Sequence, residues 1–268
     1  MNIKRAPTDT CLLCGKDESS FKGSHLVPAG LLNKLIGKRD AEEGYSIQPD
    51  DENKPIRSFF GRDNLNNQDT TQYPNEFKAD YVFCTSCEKR FSTVENEILP
   101  YITQKYIEAN QAQNFPILFK GDYQVIQGIR IPSKLLAVFF FGVAWRMSIQ
   151  YWVQTGQTTF LPPHHHELIR TKLDEVMDVN LTRLKEKSSG FPDWPFQLVS
   201  CREWKNHTAN FVMPSPQYKY PYCFWMAEFI FIFSFGMDVM LRFLGPTELG
   251  LDINDGRFIN PVGAAPFL

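Results

Sequence analysis

Two short cysteine pairs, Cys11-Leu12-Leu13-Cys14 and Cys84-Thr85-Ser86-Cys87, constrain this chain more than any other feature. Two residues between cysteines let a knuckle or a helix start aim both sulfurs at one point. Two such pairs supply the four thiolates of a closed tetrahedral site, the set that structural zinc prefers. The N-terminal stretch "MNIKRAPTDT" has no apolar run of the secretory kind, so the expectation is a cytoplasmic protein whose cysteines hold metal rather than disulfides. A redox role for either pair would need a βαβ pattern that the flanking sequence lacks. Structural Zn²⁺ on Cys11, Cys14, Cys84 and Cys87 would staple a loop-rich segment in place of a hydrophobic core. Cys201 and Cys223 read as core thiols.

The remainder of the chain is built to bury aromatic surface. Of its 268 residues 43% are hydrophobic and 23 are Phe, enough for one large domain or two ordinary ones. Polar, cysteine-paired sequence gives way to aromatic sequence near Asn114–Gly121, which divides the chain into residues 1–114 and 115–268. A formal charge of -2 gives no global basic field, so nucleic-acid contact would have to come from a local patch. The basic pairs Lys4-Arg5, Lys38-Arg39 and Lys89-Arg90 are offset by "DAEE" and "PDDE".

Periodicity predicts a short strand leading into a helix across Leu26–Ile36, an irregular insertion over Gly37–Tyr73, and a strand at Ala79–Phe83. Phe91, Val94 and Ile98 have helical spacing after the second cysteine pair. Ser133–Tyr151 is apolar nearly all round and reads as a buried helix. A helix with Pro163 in its first turn follows, with His164, His165 and His166 as surface residues at its start. Strands are expected at Phe211–Met213 and Tyr222–Phe235, with "SPQYKYP" as their connection. Leu135–Val153 and Cys223–Leu244 are greasy enough to raise a membrane. Arg146 in the first and Glu228, Asp238 and Arg242 in the second each cost roughly 2.5–3.5 kcal/mol in a bilayer. Buried elements of a soluble core are therefore the expectation.

Between the cysteine pairs lies Ser24-His25-Leu26-Val27-Pro28, and the second pair continues as "CTSCEKRF". In this order the sequence resembles the zinc-containing HNH (His-Me finger) endonucleases over roughly residues 8–100. In that family a knuckle precedes a strand with the catalytic His, and a second pair opens the helix whose next residue binds the catalytic metal. The periodicities make the whole chain α+β, with a mixed α/β C-terminal domain expected to bind a protein partner, self-associate or sense a signal. The resemblance implies that the N-terminal domain is a zinc-stabilised treble clef with a ββα core. It also implies a nuclease acting on DNA or RNA, of the type found in microbial restriction and phage (antiviral) defence.

Carried over residue by residue, the resemblance makes His25 the general base. Glu88 would be a ligand for Mg²⁺ or Mn²⁺, with Glu95 two helical turns on as a second carboxylate. Asn64, Asn66 or Gln72 would orient His25, and Lys89 and Arg90 would contact flanking phosphates. This chain departs from the family in having Ser24 where Asp or His precedes the catalytic His, and Glu88 where His or Asn follows the last Cys. Two other classes stay open. In a non-catalytic zinc-binding interaction protein, His25 would bond within the core and Glu88 would answer the helix dipole. The third is a membrane-acting effector.

Overall fold

The computed structural model describes residues 3–31, 77–101, 117–120, 123–127, 132–156, 161–200, 212–219, 221–226, 229–235 and 257–261. Asn64, Asn66 and Gln72 lie outside the described residues, as does the whole insertion over 37–73. The architecture is α+β: a two-stranded antiparallel pair, a group of helices and a seven-stranded sheet.

The first knuckle is a tight turn in which the Gly15 N–H donates to the Cys11 carbonyl at 2.9 Å. Gly15 has φ +65, a left-handed conformation that costs glycine nothing because it lacks Cβ. Strand β1 (Ser24–His25) pairs antiparallel with β2 (Lys78–Ala79), setting His25 opposite Lys78. The strand expected at Ala79–Phe83 is displaced to Lys78–Ala79, and a turn follows with Tyr81 at φ 58. Hydrogen bonds to the first knuckle explain the turn. Leu12 N–H donates to the Val82 carbonyl at 3.0 Å, and Tyr81 N–H to the Phe21 carbonyl at 2.9 Å. The Asp80 carboxylate accepts from Gly23 N–H at 2.8 Å. Helix α1 (Thr85–Leu99) then starts at the second cysteine pair, burying Cys87, Glu88, Phe91, Val94 and Ile98 on one face.

Helix α2 (Ser133–Thr155) is the axis of the molecule. It ends where Gly156 turns left-handed at φ 69 and returns its N–H to the Trp152 carbonyl. By length and composition it could cross a membrane, but 83% of its apolar window is buried inside the fold. On one side Trp145 stacks on Phe83 and Phe91, with centroids 5.8 and 6.3 Å away. On another, Phe140 and Phe141 meet Phe231 and Phe233 of the sheet at 4.9 to 5.3 Å. Apolar burial is therefore continuous from the cysteine knuckles to the sheet. Helices α3 (Pro163–Val176) and α4 (Leu181–Ser188) pack beside α2.

The sheet comprises β3 (Ile117–Lys120), β4 (Tyr123–Gln127), β5 (Phe196–Ser200), β6 (Val212–Lys219), β7 (Tyr222–Met226), β8 (Phe229–Phe233) and β9 (Arg257–Pro261). Its spatial order is β3-β4-β9-β5-β8-β7-β6, antiparallel except where β5 meets β9. The single strand expected over Tyr222–Phe235 is instead an antiparallel pair, with Met226 opposite Phe229. Alternating apolar residues fit either arrangement, and folding back buries Phe224, Phe231 and Phe233 together. The "SPQYKYP" connection is largely strand, because β6 lies at the sheet edge, where Pro214 and Pro216 forfeit no ladder bond to a second neighbour.

Phe141 is fully buried and touches five aromatic rings on the sheet and its approaches. Phe141→Ala should lower unfolding stability by about 3–5 kcal/mol in urea titrations, the range for a large core ring.

Candidate metal centre and the His25 strand

The four sulfurs of Cys11, Cys14, Cys84 and Cys87 lie within 4.8 Å of one another, and the group could hold a metal ion such as zinc. Two local devices bring them there. The first knuckle is folded by its own turn and clamped by Cys11 N–H to the Asp17 carbonyl at 2.8 Å. Cys84 is the N-cap of α1, its sulfur accepting from Cys87 N–H at 3.4 Å. Thiols this close cannot all ionise unaided. The Cys87 thiol, donating to Cys11, holds Cys11 down at about 5. Burial pushes Cys84 up to about 11, and the Cys11 thiolate raises Cys87 further. A divalent cation stabilises all four thiolates, so the donor set fits soft, sulfur-preferring metals.

Charged side chains tie this cluster to the rest of the fold. Arg90 Nη1 lies 3.7 Å from Cys87 Sγ and 2.7 Å from Asp174 Oδ1. Its other nitrogens donate to the carbonyls of Leu173, Asp174 and Met177 at the C-terminal end of α3, where a cation complements the helix dipole. Arg170 holds the Leu13 carbonyl from α3 and pairs with Glu167 through both carboxylate oxygens. Asp17 Oδ2 stands 3.8 and 3.7 Å from the Cys14 and Cys84 sulfurs.

A second polar group lies where β1 meets α1. Ser24 is fully buried and faces Glu88, which is 9% exposed, while His25 is half-buried. Burial holds the Glu88 carboxyl above the ordinary carboxylate range, opposed by the Ser24 hydroxyl and by Arg146. Among the described residues, Ser24 Oγ, Glu88 Oε1 and Glu95 Oε1 are buried oxygens without an aligned hydrogen-bond partner. Arg146, 2% exposed, sets Nη1 2.7 Å from Glu95 Oε1 and donates to the His25 carbonyl at 3.0 Å.

The structure thus sets Ser24 beside Glu88, and gathers Glu95 and the His25 backbone carbonyl on Arg146. It separates Lys89, which is exposed, from Arg90, which points inward to Cys87 and α3. Three contributors were not singled out from sequence. Ser24 was named only as a departure from a pattern, and Asp17 carried no signal. Arg146 did carry one: a lone charge in a helix apolar all round must find an internal partner. Against known proteins, the chain matches no family model, no curated protein and no solved structure.

The histidines of α3 are also placed differently from the surface expectation. His164 is exposed, but His165 Nδ1 sits 2.7 Å from Tyr222 Oη and His166 lies over Trp145, centroids 5.4 Å apart. Three successive helical residues point in different directions, so one must face α2.

Two outcomes are expected. One Zn²⁺ per chain should be measured by elemental analysis. Cys84→Ala should reduce it below a tenth and remove hydrogen-exchange protection from residues 11–31 and 84–99. Burial holds His166 at about 4, against an ordinary 6.5. The unfolded chain therefore gains this proton below about pH 6.5 and the folded chain only near pH 4, so stability falls as pH drops through that window. His166→Phe should lose about 1–2 kcal/mol less than wild type between pH 7 and pH 5 in urea titrations.

Proposed function

We propose that residues 3–101 carry a zinc-stapled ββα module of the His-Me finger type, hydrolysing phosphodiester bonds of DNA or RNA with a divalent cation. The observation that carries the reading is the convergence of β1 and the first turn of α1. The residue before His25 faces the residue after Cys87, and the two bring buried oxygens together at that junction. Such oxygens suit a hard cation. Ser24 and Glu88 would hold Mg²⁺ or Mn²⁺ beside Glu95. When bound, that ion supplies positive charge to the phosphate in the transition state.

The chain's own residues do the rest. His25 takes a proton from the water that attacks phosphorus, and the leaving oxygen is protonated from solvent. Ser24 and Lys78 flank His25 along and across the strand pair, so the backbone that presents it is paired on one side. Lys89, exposed in the first turns of α1, is available to a flanking phosphate. Arg90 is committed to Asp174 and Cys87 and contributes rigidity instead.

One observation favours a second reading, a non-catalytic zinc-dependent interaction module. Arg146 already answers the Glu95 charge at 2.7 Å, and Glu88 is almost wholly buried. Cleavage of plasmid DNA and single-stranded RNA with Mg²⁺ or Mn²⁺ separates the two. On the first reading, His25→Ala lowers kcat at least 10²-fold, in the range typical of a lost general base, with zinc content and melting temperature retained. Zinc-loaded wild type that cleaves neither substrate with either ion would leave the interaction module standing.

A further inference from the structure

Arg146 sits in the middle of α2, 2% exposed, within a run of Phe, Val, Trp and Met. Taking a guanidinium out of water costs several kcal/mol unless its partners compensate. Here the compensation comes from three elements. Nη1 donates to the His25 carbonyl of β1 at 3.0 Å and lies 2.7 Å from Glu95 Oε1 of α1. Nε reaches the Gly142 carbonyl of α2 at 3.4 Å. The guanidinium carbon stands 4.4 Å from the Phe91 ring centroid, a desolvated cation–π contact.

The geometry says which of these contacts is directional. Glu95 Oε1 has no aligned hydrogen bond, so the ion pair is a contact of charge. The aligned bond from Nη1 goes to the peptide oxygen of His25. That oxygen belongs to a strand of two residues, too short to hold a side chain by ladder bonds alone. On its other edge Leu26 N–H donates to the Phe77 carbonyl at 2.9 Å. Together the two bonds clamp the His25–Leu26 peptide plane from both sides. With Ser24 held by its pairing to Ala79, fixing that plane narrows the ψ of His25 and so the direction of its Cα–Cβ bond.

We infer that Arg146 is a positioning residue for His25, and that the site is completed by α2 rather than contained in residues 3–101. What His25 then does rests on the hydrolase reading; the clamp itself does not. A planar fork suits this place, because Nη1 serves Glu95 and the His25 carbonyl while Nε reaches the Gly142 carbonyl; the single nitrogen of lysine, on a flexible stem, cannot span those positions.

The test uses the full zinc-loaded chain in two variants. Arg146→Lys keeps the charge. Arg146→Met combined with Glu95→Leu removes both charges at similar volume, an exchange often neutral for folding. Three quantities are read: zinc content with melting temperature, the His25 ring resonances assigned against His25→Ala, and kcat and KM with Mn²⁺ on the cleaved substrate. The expected result is normal zinc content with His25 resonances broadened or split. With it, kcat of Arg146→Lys, which leaves Glu95 in place, should fall about 10²-fold, as for a group displaced by about 1 Å, and KM should stay within about twofold. A folded variant whose His25 resonances match wild type overturns the inference, whatever its activity. So does failure of both variants to fold, which would make Arg146 a folding residue only. Should wild type cleave nothing, the hydrolase reading falls and the resonances alone decide the clamp.

Discussion

Everything in the N-terminal part depends on four sulfurs meeting within 4.8 Å, because they join residues 11–14 to residues 84–87 across a long intervening segment. The strand pair that presents His25 has only two residues in each strand. It persists because the turn before Cys84 accepts from Leu12 of the first knuckle and donates to Phe21, and because α1 is capped by one of the same cysteines. A metal ion on the four sulfurs would make strand pair and helix start one cooperative unit, and ligand deprotonation would couple that unit to pH.

The cluster is not an isolated staple. Arg90 and Arg170 connect it to α3, one gathering the carbonyls at the end of that helix and the other holding the Leu13 carbonyl inside the first knuckle. Arg146 makes a comparable connection from α2 to β1 and α1. Three arginines, each partly or wholly buried, thus fasten cysteine-rich to aromatic sequence. The stacked rings of Phe83, Phe91 and Trp145 fill the space between.

Elements whose residues carry their own local signal were legible in advance. The helix after Cys84 showed its apolar stripe at Phe91, Val94 and Ile98, and the buried helix showed its unbroken aromatic run. Pro163 marked the start of the next. The edge strand through Pro214 and Pro216 was not legible, since only its place at the sheet margin makes proline harmless there. Nor was the fold-back between Met226 and Phe229, because an alternating pattern is the same for one long strand and for two short ones. Lys89 and Arg90 are adjacent in sequence yet have opposite fates, as neighbours on a helix face different ways.

Sequence by itself determined the four thiolates, their spacing and the histidine between them, because two-residue gaps and a helix start are local geometry. Tertiary structure alone decided what surrounds that histidine. It set Ser24 against Glu88, turned Arg90 inward, and brought Arg146, 121 residues away in the chain, onto the His25 carbonyl. The reason is that a buried charge has no local rule for its partner. It is satisfied wherever packing brings an acceptor within reach, and that is settled only when α2 docks between the knuckles and the sheet.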